Sequence, residues 1–427
     1  MTDFAESEHL EAQEFRAALT KFQQDIPHIL ASLRHLISQQ EASNTQFRER
    51  RHAFLEFCRE HINPDINIFD INEMLIQHIL TEDIFPHSCQ ESQFHPENHL
   101  AREISQIINT FFTRETHRQT LKSIEHDYAV IRRQAQNIAN HHENHHEKQK
   151  FIKVVYENFY QAYNPKAAER WGIVYTPNEI VRFMLETADY LLHQHFGQLL
   201  ADPGLEILDP CTGTGTYITE LIEYLPPDKL EYKYQHEIHG YERGILPYYI
   251  AQLNIEYSYF QKTGIYEHFP HLYQVDTLEP PRYPNSANLP NLNQAIRVII
   301  GNPPYQAWQA NFHPSNPNRN YREIDESIKA TYIKEGAAQN QIAIYDMYVR
   351  FYRWAADCLG ENGLIAFITN RSFIDGKAFD GFRKVVDKEF DFIYLIDVGG
   401  DIRSGDTSGN VFNIKTGVAV MFLVRHK

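Results

Sequence analysis

No glycine occurs before Gly172 in a chain of 427 residues that holds 19 of them. Glycine is the usual residue for tight turns and for close approach of backbone to a ligand. Its absence excludes a glycine-built cofactor loop from the first third of the chain and favours helices there. Cysteine is scarce as well: Cys58, Cys89, Cys211 and Cys358 lie far apart and form no CxxC pair. That pattern excludes a disulfide framework and a thiolate zinc site, and it fits a reduced, cytoplasmic protein. No apolar run is long enough to span a bilayer, and the first residues do not read as a secretory leader. Positive charge is in deficit, with 40 Lys and Arg against 56 Asp and Glu and a formal net charge of −16. A free-standing nucleic-acid binder is usually basic. Polyanion affinity spread over the whole surface is therefore excluded, and any such contact must come from a local patch or a partner segment.

What is present falls into two parts. Residues 1–164 read as an all-α domain. Phe15, Leu19, Phe22, Ile26, Leu30, Leu33 and Leu36 recur at three- and four-residue spacing, marking one amphipathic face. Pro27 is expected to kink or restart that helix, and a break is expected near residues 40–44. Further helical pieces are read at 54–61, 71–80 and 100–113, and a long polar helix at about 114–160. His141, His142, His145 and His146 share helix faces in pairs at i,i+4 spacing. No thiolate completes a ligand set there, so a solvated polar face is the better reading and no metal is expected.

Residues 165–427 read as an α/β domain with a Rossmann-like sheet. Thr176 is a candidate N-cap and Pro177 a first-turn residue for a helix over 178–195. Leu205 to Leu208 forms a short apolar strand running into Asp209-Pro210-Cys211-Thr212-Gly213-Thr214-Gly215 and then a helix. Glycines in such a turn let a cofactor approach the backbone. No Gly-Lys-Ser/Thr follows, so it is not a phosphate-cradling P-loop. The acid leading into the turn suits a cationic, non-phosphorylated cofactor such as S-adenosylmethionine. A second strand ends at Glu242, where an α/β cofactor site places a carboxylate on ribose hydroxyls. A third strand, over 273–278, carries Asp276, which could bond a cofactor's adenine amine. Asp228, Glu231 and Lys233 superficially match a nuclease carboxylate–lysine set, but they sit in a connector and are set aside.

Val298-Ile299-Ile300-Gly301 is an apolar run of the kind found in a buried parallel strand. Asn302-Pro303-Pro304-Tyr305 follows, and its prolines cannot continue a central strand. The Asn302 side-chain oxygen and the Pro303 carbonyl can both accept hydrogens from the exocyclic amine of adenine. Doing so would localise a lone pair otherwise delocalised into the ring. Tyr305 offers a face on which a base can stack. Residues 306–340 read as a polar flap beside this cleft. An aromatic helix from about 345, strands at 363–369, 392–397 and 417–424, and a helix at 379–386 complete the domain.

With Tyr175-Thr176-Pro177, residues 209–215, Glu242, Asp276 and Asn302-Pro303-Pro304-Tyr305 in this order, the chain resembles an N6-adenine DNA methyltransferase of the gamma arrangement. The first part, in Glu73-Met74-Leu75-Ile76-Gln77-His78-Ile79-Leu80-Thr81 and from Phe159-Tyr160 through Arg170 to Pro177, is similar to the coupler and methyltransferase parts of type ISP restriction-modification enzymes. The resemblance implies an S-adenosylmethionine-dependent methyltransferase sheet carrying an N-terminal helical domain. It implies that Tyr175, Thr176, Pro177, Asp209, Thr212, Gly213, Gly215, Glu242 and Asp276 bind the cofactor. Asn302, Pro303 and Tyr305 would hold the flipped adenine, and Phe412 would be a second stacking aromatic. Base flipping is required because the amine cannot meet a methyl donor inside a duplex. The expected partners are double-stranded DNA, a target-recognition domain or subunit, and nuclease or helicase parts, with no membrane. Two alternatives stay open: a coupling or scaffold subunit active only in an assembly, and a methyltransferase acting on RNA or protein glutamine.

Overall fold

The computed structural model describes residues 2–62, 66–81, 99–122, 125–126, 129–130, 133, 176–279, 296–304, 321–339, 342–400 and 417–426. Tyr175, Tyr305, Phe412, the histidines at 141–146 and most of the expected polar helix lie outside the described residues. The chain divides into two compact units, Met1–Ala168 and Glu169–Lys427.

The described residues of the first unit form helices joined by short connections. Helix α1 spans Thr2–Ser43 and runs on across Pro27. An interior proline costs a helix ~3 kcal/mol. Burial of Ile26, Ile29 and Leu30 around it opposes that cost, each being no more than 3% exposed. The break comes at Asn44, which caps α2 (Thr45–His61): its side chain accepts from the Phe47 N–H at 3.0 Å and donates to the Thr110 carbonyl at 3.1 Å. So α2 begins at Thr45, earlier than the expected Phe54. Helix α3 (Ile68–Thr81) is the central one, with Ile71, Met74, Leu75, Ile76, Ile79 and Leu80 all buried. Arg34 of α1 is forked onto its Glu73 at 3.0 and 2.8 Å. Helix α4 (His99–Ile108) stops short of residue 113, because Thr113 caps a separate α5 (Arg114–Leu121).

The second unit is built on a sheet of seven strands in the order β3-β2-β1-β4-β5-β7-β6. These are β1 (Glu206–Asp209), β2 (Ile238–Glu242), β3 (Leu272–Gln274), β4 (Ile296–Gly301), β5 (Asn362–Asn370), β6 (Phe392–Gly399) and β7 (Val418–His426). β1 pairs parallel with both β2 and β4, β2 with β3, and β4 with β5. β7 enters antiparallel between β5 and β6. The strand order reverses between β1 and β4, so the crevice at their carboxyl ends is the topological switch point, where open α/β sheets take their ligands.

Helices α6 (Asn178–Phe196), α7 (Thr216–Tyr224) and α9 (Ile245–Thr263) pack in succession, with α6 also against β5. Ile299, Phe367 and Met421 join a separate cluster with Tyr348 and Tyr352 of α11 (Met347–Cys358) and Phe382 of α12 (Asp380–Glu389). Two helices depart from the sequence reading. Residues 227–236, taken for a connector, form α8 (Pro227–His236), which starts with proline at its first turn. Part of the expected polar flap is α10 (Arg322–Ile328), continued by a π-helical turn over Lys329–Ile333. Ile324, Ile328 and Tyr332 bury its inner face at spacing four.

Lys233 is no nuclease lysine. Fully buried on α8, it donates to the Glu237 carboxylate at 2.7 Å and to the carbonyls of Leu205 at 2.7 Å and Asp202 at 3.0 Å. It ties α8 to the entry of β1. No helix among the described residues is long and apolar enough to cross a membrane.

Candidate active site

The carboxyl ends of β1, β2 and β4 and the start of α6 converge on one cradle. β1 delivers Asp209, only 2% exposed. Its Oδ1 accepts the Cys211 N–H at 3.1 Å, while its Oδ2 is buried and makes no hydrogen bond among the described residues. The turn then winds through Gly213 at φ +57° and Gly215 at φ +93°, left-handed conformations that favour glycine. Thr212 fixes the turn's base. Its N–H reaches the Tyr241 carbonyl at 2.9 Å and its hydroxyl the Asp209 carbonyl at 3.2 Å. Asn254 of α9 holds the far side by donating to the Thr214 carbonyl at 2.9 Å.

β2 delivers Glu242, whose carboxylate bridges two loops. It accepts the Gly213 N–H at 2.8 Å and the Gly244 N–H at 2.6 Å. Asp276 lies two residues beyond β3 rather than within a strand. Its Oδ2 is met by Arg243 Nε at 3.3 Å and the Tyr321 hydroxyl at 3.1 Å. The neighbouring Thr277 hydroxyl donates to the Pro210 carbonyl, which joins this segment to the glycine turn.

β4 ends at Gly301, and the close approach there requires glycine. A Cβ would stand 2.8 Å from Asp209 Oδ1 and 3.2 Å from Cys211 Sγ. This places the Asn302-Pro303 turn directly against the carboxylate of β1. Asn302 is half-buried and Pro303 buried. The Asn302 amide nitrogen donates to Thr176 Oγ1 at 3.0 Å. Pro177, one residue on from the expected Thr176, occupies the cap position of α6 without a side-chain bond, and the Thr176 hydroxyl meets the turn after β4.

Burial dominates the electrostatics. It pushes the Asp209 carboxyl up to about 7, with the Glu242 charge adding to the effect and the Cys211 N–H opposing it. Burial also lifts Glu242 to about 7 against the Gly244 and Gly213 N–H groups. The Cys211 thiol is driven well above its ordinary value, first by burial and then by Asp209 and Glu242. It stays neutral and is a poor nucleophile.

The structure thus brings together Thr176, Pro177, Asp209, Thr212, Gly213, Gly215, Glu242, Asn302 and Pro303, with Asp276 at the rim. It adds residues that sequence reading missed: Gly301, Gly244, Arg243, Thr277 and Tyr321. Gly301 adjoins Asn302 and Gly244 lies two residues after Glu242, which was a usable signal. Tyr321 had none, because its contact with Asp276 spans 45 positions. The donor set fits a cation better than a phosphate. Two acids face the cradle, and an undonated carboxylate oxygen is costly to bury unless a positive ligand meets it. Among the described residues no group of three or more His, Cys, Asp or Glu could hold a metal ion.

A family model described as N-6 DNA methylase matches residues 147–372, and one described as the type ISP restriction-modification enzyme coupler domain matches residues 19–143. Among solved structures the chain is similar to that of a DrdV–DNA complex, with 48% identity over 97% of this chain and 42% of that one, at a TM-score of 0.80. It is similar to a nuclease-deletion mutant of the type ISP restriction-modification enzyme LlaGI in complex with a DNA substrate mimic, with 28% identity over 95% of this chain and 34% of that one, at 0.74. It is also similar to the ATP-dependent type ISP restriction-modification enzyme LlaBIII bound to DNA, with 29% identity over 98% of this chain and 29% of that one, at 0.73. The chain spans less than half the length of each of these relatives. No curated protein matches it.

Proposed function

Because the chain belongs to the N-6 DNA methylase family, we propose that its second unit transfers a methyl group from S-adenosylmethionine to the N6 amine of an adenine flipped out of duplex DNA. The cofactor, when bound, supplies an electrophilic methyl group. Asp209 is assigned to its ammonium, Glu242 to its ribose hydroxyls and Asp276 to its adenine amine. Pro177, Thr212, Gly213 and Gly215 line the same cradle, and Tyr175 is assigned to the cofactor with them. The Asn302 amide oxygen and the Pro303 carbonyl accept the two hydrogens of the target amine, and Tyr305 and Phe412 stack the base. No covalent enzyme intermediate is involved, in keeping with the neutral thiol of Cys211.

The observation that carries this reading is the abutment of the Asn302-Pro303 turn on Asp209, enforced by Gly301. It sets a polar turn suited to an amine beside an acid suited to a cation. Partners follow by the same likeness. The coupler match and the DNA-bound type ISP relatives support placement in a restriction-modification assembly with DNA-recognition, nuclease and helicase parts.

The test is to incubate the purified chain with methyl-labelled cofactor and unmethylated duplex DNA and to digest the product to nucleosides. Label is expected in N6-methyladenosine. Asn302→Ala should lower transfer by at least ~100-fold, the scale of losing a group that polarises the reacting atom, while cofactor affinity stays within about twofold. Equal loss of both would remove Asn302 from the chemistry. Label in protein or RNA would replace the substrate.

A further inference from the structure

We propose that Thr176 is a positioning residue for the transfer, acting through Asn302 rather than on the cofactor. The inference rests on the reading of Asn302 given above. A side-chain amide turns about a broad, roughly two-fold torsion. Its two edges are of similar shape and opposite polarity, an N–H donor edge and a carbonyl acceptor edge. Only the acceptor edge serves a target amine. The donor edge would set N–H against N–H. An amide free to turn would spend part of its time in the wrong state.

Thr176 meets this amide on its nitrogen edge. Its Oγ1 accepts the Asn302 amide nitrogen at 3.0 Å across 126 positions of sequence, and Thr176 itself is 3% exposed. With the nitrogen edge committed to Thr176, the carbonyl edge of the same group is turned the other way. Pro177 holds the cap position, and the N–H groups of Ile180 and Val181 bond to its carbonyl. The start of α6 is in turn anchored by the next residue, Asn178, which donates to the buried Glu220 of α7 at 2.7 Å. Thr176 is therefore a fixed point and not a swinging side chain.

The experiment compares Thr176→Val, which keeps the shape and removes the hydroxyl, with Thr176→Ser, which keeps the hydroxyl. Three quantities are measured: the single-turnover methylation rate at saturating DNA, the dissociation constant for S-adenosylmethionine, and the side-chain amide signal of Asn302. That signal is read by selective 15N-asparagine labelling and assigned by its loss in Asn302→Ala. Thr176→Val should slow transfer about tenfold, the scale of one lost hydrogen bond. It should leave cofactor affinity within about twofold of wild type and displace the Asn302 amide signal. Thr176→Ser should restore both rate and signal. Cofactor binding weakened in proportion to the rate would make Thr176 a cofactor ligand and overturn the proposal, as would an Asn302 signal unmoved by valine. If the unsubstituted chain methylates no adenine, that counts against the proposed function. The amide signal then decides the positioning role alone, displacement by valine supporting it and no displacement overturning it.

Discussion

A buried carboxylate assigned to a cationic ligand is poised against its own charge, and Asp209, proposed above for the cofactor's ammonium, is such a group. Burial holds it near 7 although its ordinary value is 3.8. Binding a cation needs the ionised form, so below about 7 binding must also expel a proton. Affinity for S-adenosylmethionine should therefore rise with pH up to about 7 and level off above. Glu242 also lies at about 7 and interacts with Asp209, so the pair titrates together and the fall toward acid should be steeper than for one group. Calorimetric titration from pH 5.5 to 8.5 measures this, and Asp209→Asn should flatten the profile at much weaker affinity. The same shift has a stability sign. An acid raised in the folded state stabilises it below its unfolded value, and that contribution is lost as pH rises through the folded value. The cofactor-free chain should lose on the order of a few kcal/mol on this account between about pH 4 and 7. Asp209→Asn should thus raise the melting temperature of the cofactor-free chain at pH 8 while weakening the cofactor, a trade of stability for function. An unchanged melting temperature would mean that the charge is already compensated.

At the scale of elements, the tight joint is between α12 and the π-helical turn. A Cβ on Gly381 would overlap the Tyr332 carbonyl oxygen and come within 2.7 Å of the Gly336 nitrogen. Backbone cannot yield as a side-chain end can. Gly381→Ala should cost ~3 kcal/mol or more of stability, at the upper end of overpacking, read by urea denaturation. A loss under ~1 kcal/mol would show that the π turn shifts freely. This joint was invisible in sequence, because the apolar positions Ile324, Ile328 and Tyr332 stand among Arg322, Glu323, Asp325 and Glu326, and the stretch reads as polar. Helix α8 hid behind Pro226 and Pro227, which resemble a loop although proline opens helices well. The strands were legible. Each central one is an apolar run, and an acid or the Asn302 turn marks the exits of β1, β2 and β4. Their order was not legible, since the antiparallel entry of β7 between β5 and β6 is decided by packing far along the chain. Within the site the acids and glycines could be read from turn chemistry alone. The bond from Asn302 to Thr176 could not, because local rules assign that threonine to a cap.

For the whole molecule the governing fact is charge. At a net −16, the chain repels a duplex except where a local patch receives it, and it spans less than half of its DNA-bound relatives. Phosphate contacts release counterions, so their number appears as the slope of log affinity against log salt, about −0.9 for each phosphate neutralised. An acidic chain with few such contacts should show a shallow slope, corresponding to roughly three phosphates or fewer, and weak duplex binding at physiological salt. The flipped-base site would be intact all the same. Lowering the salt should then reduce the apparent KM for DNA while leaving the single-turnover rate at saturating DNA unchanged. Fluorescence anisotropy on a labelled duplex between 20 and 200 mM salt gives the slope, and rapid-quench methylation gives the rate. A slope corresponding to six or more phosphates would mean that the chain carries a basic groove of its own. A single-turnover rate that rose as salt fell would move the missing contribution from DNA capture to base flipping, where a recognition partner would have to act on the site itself.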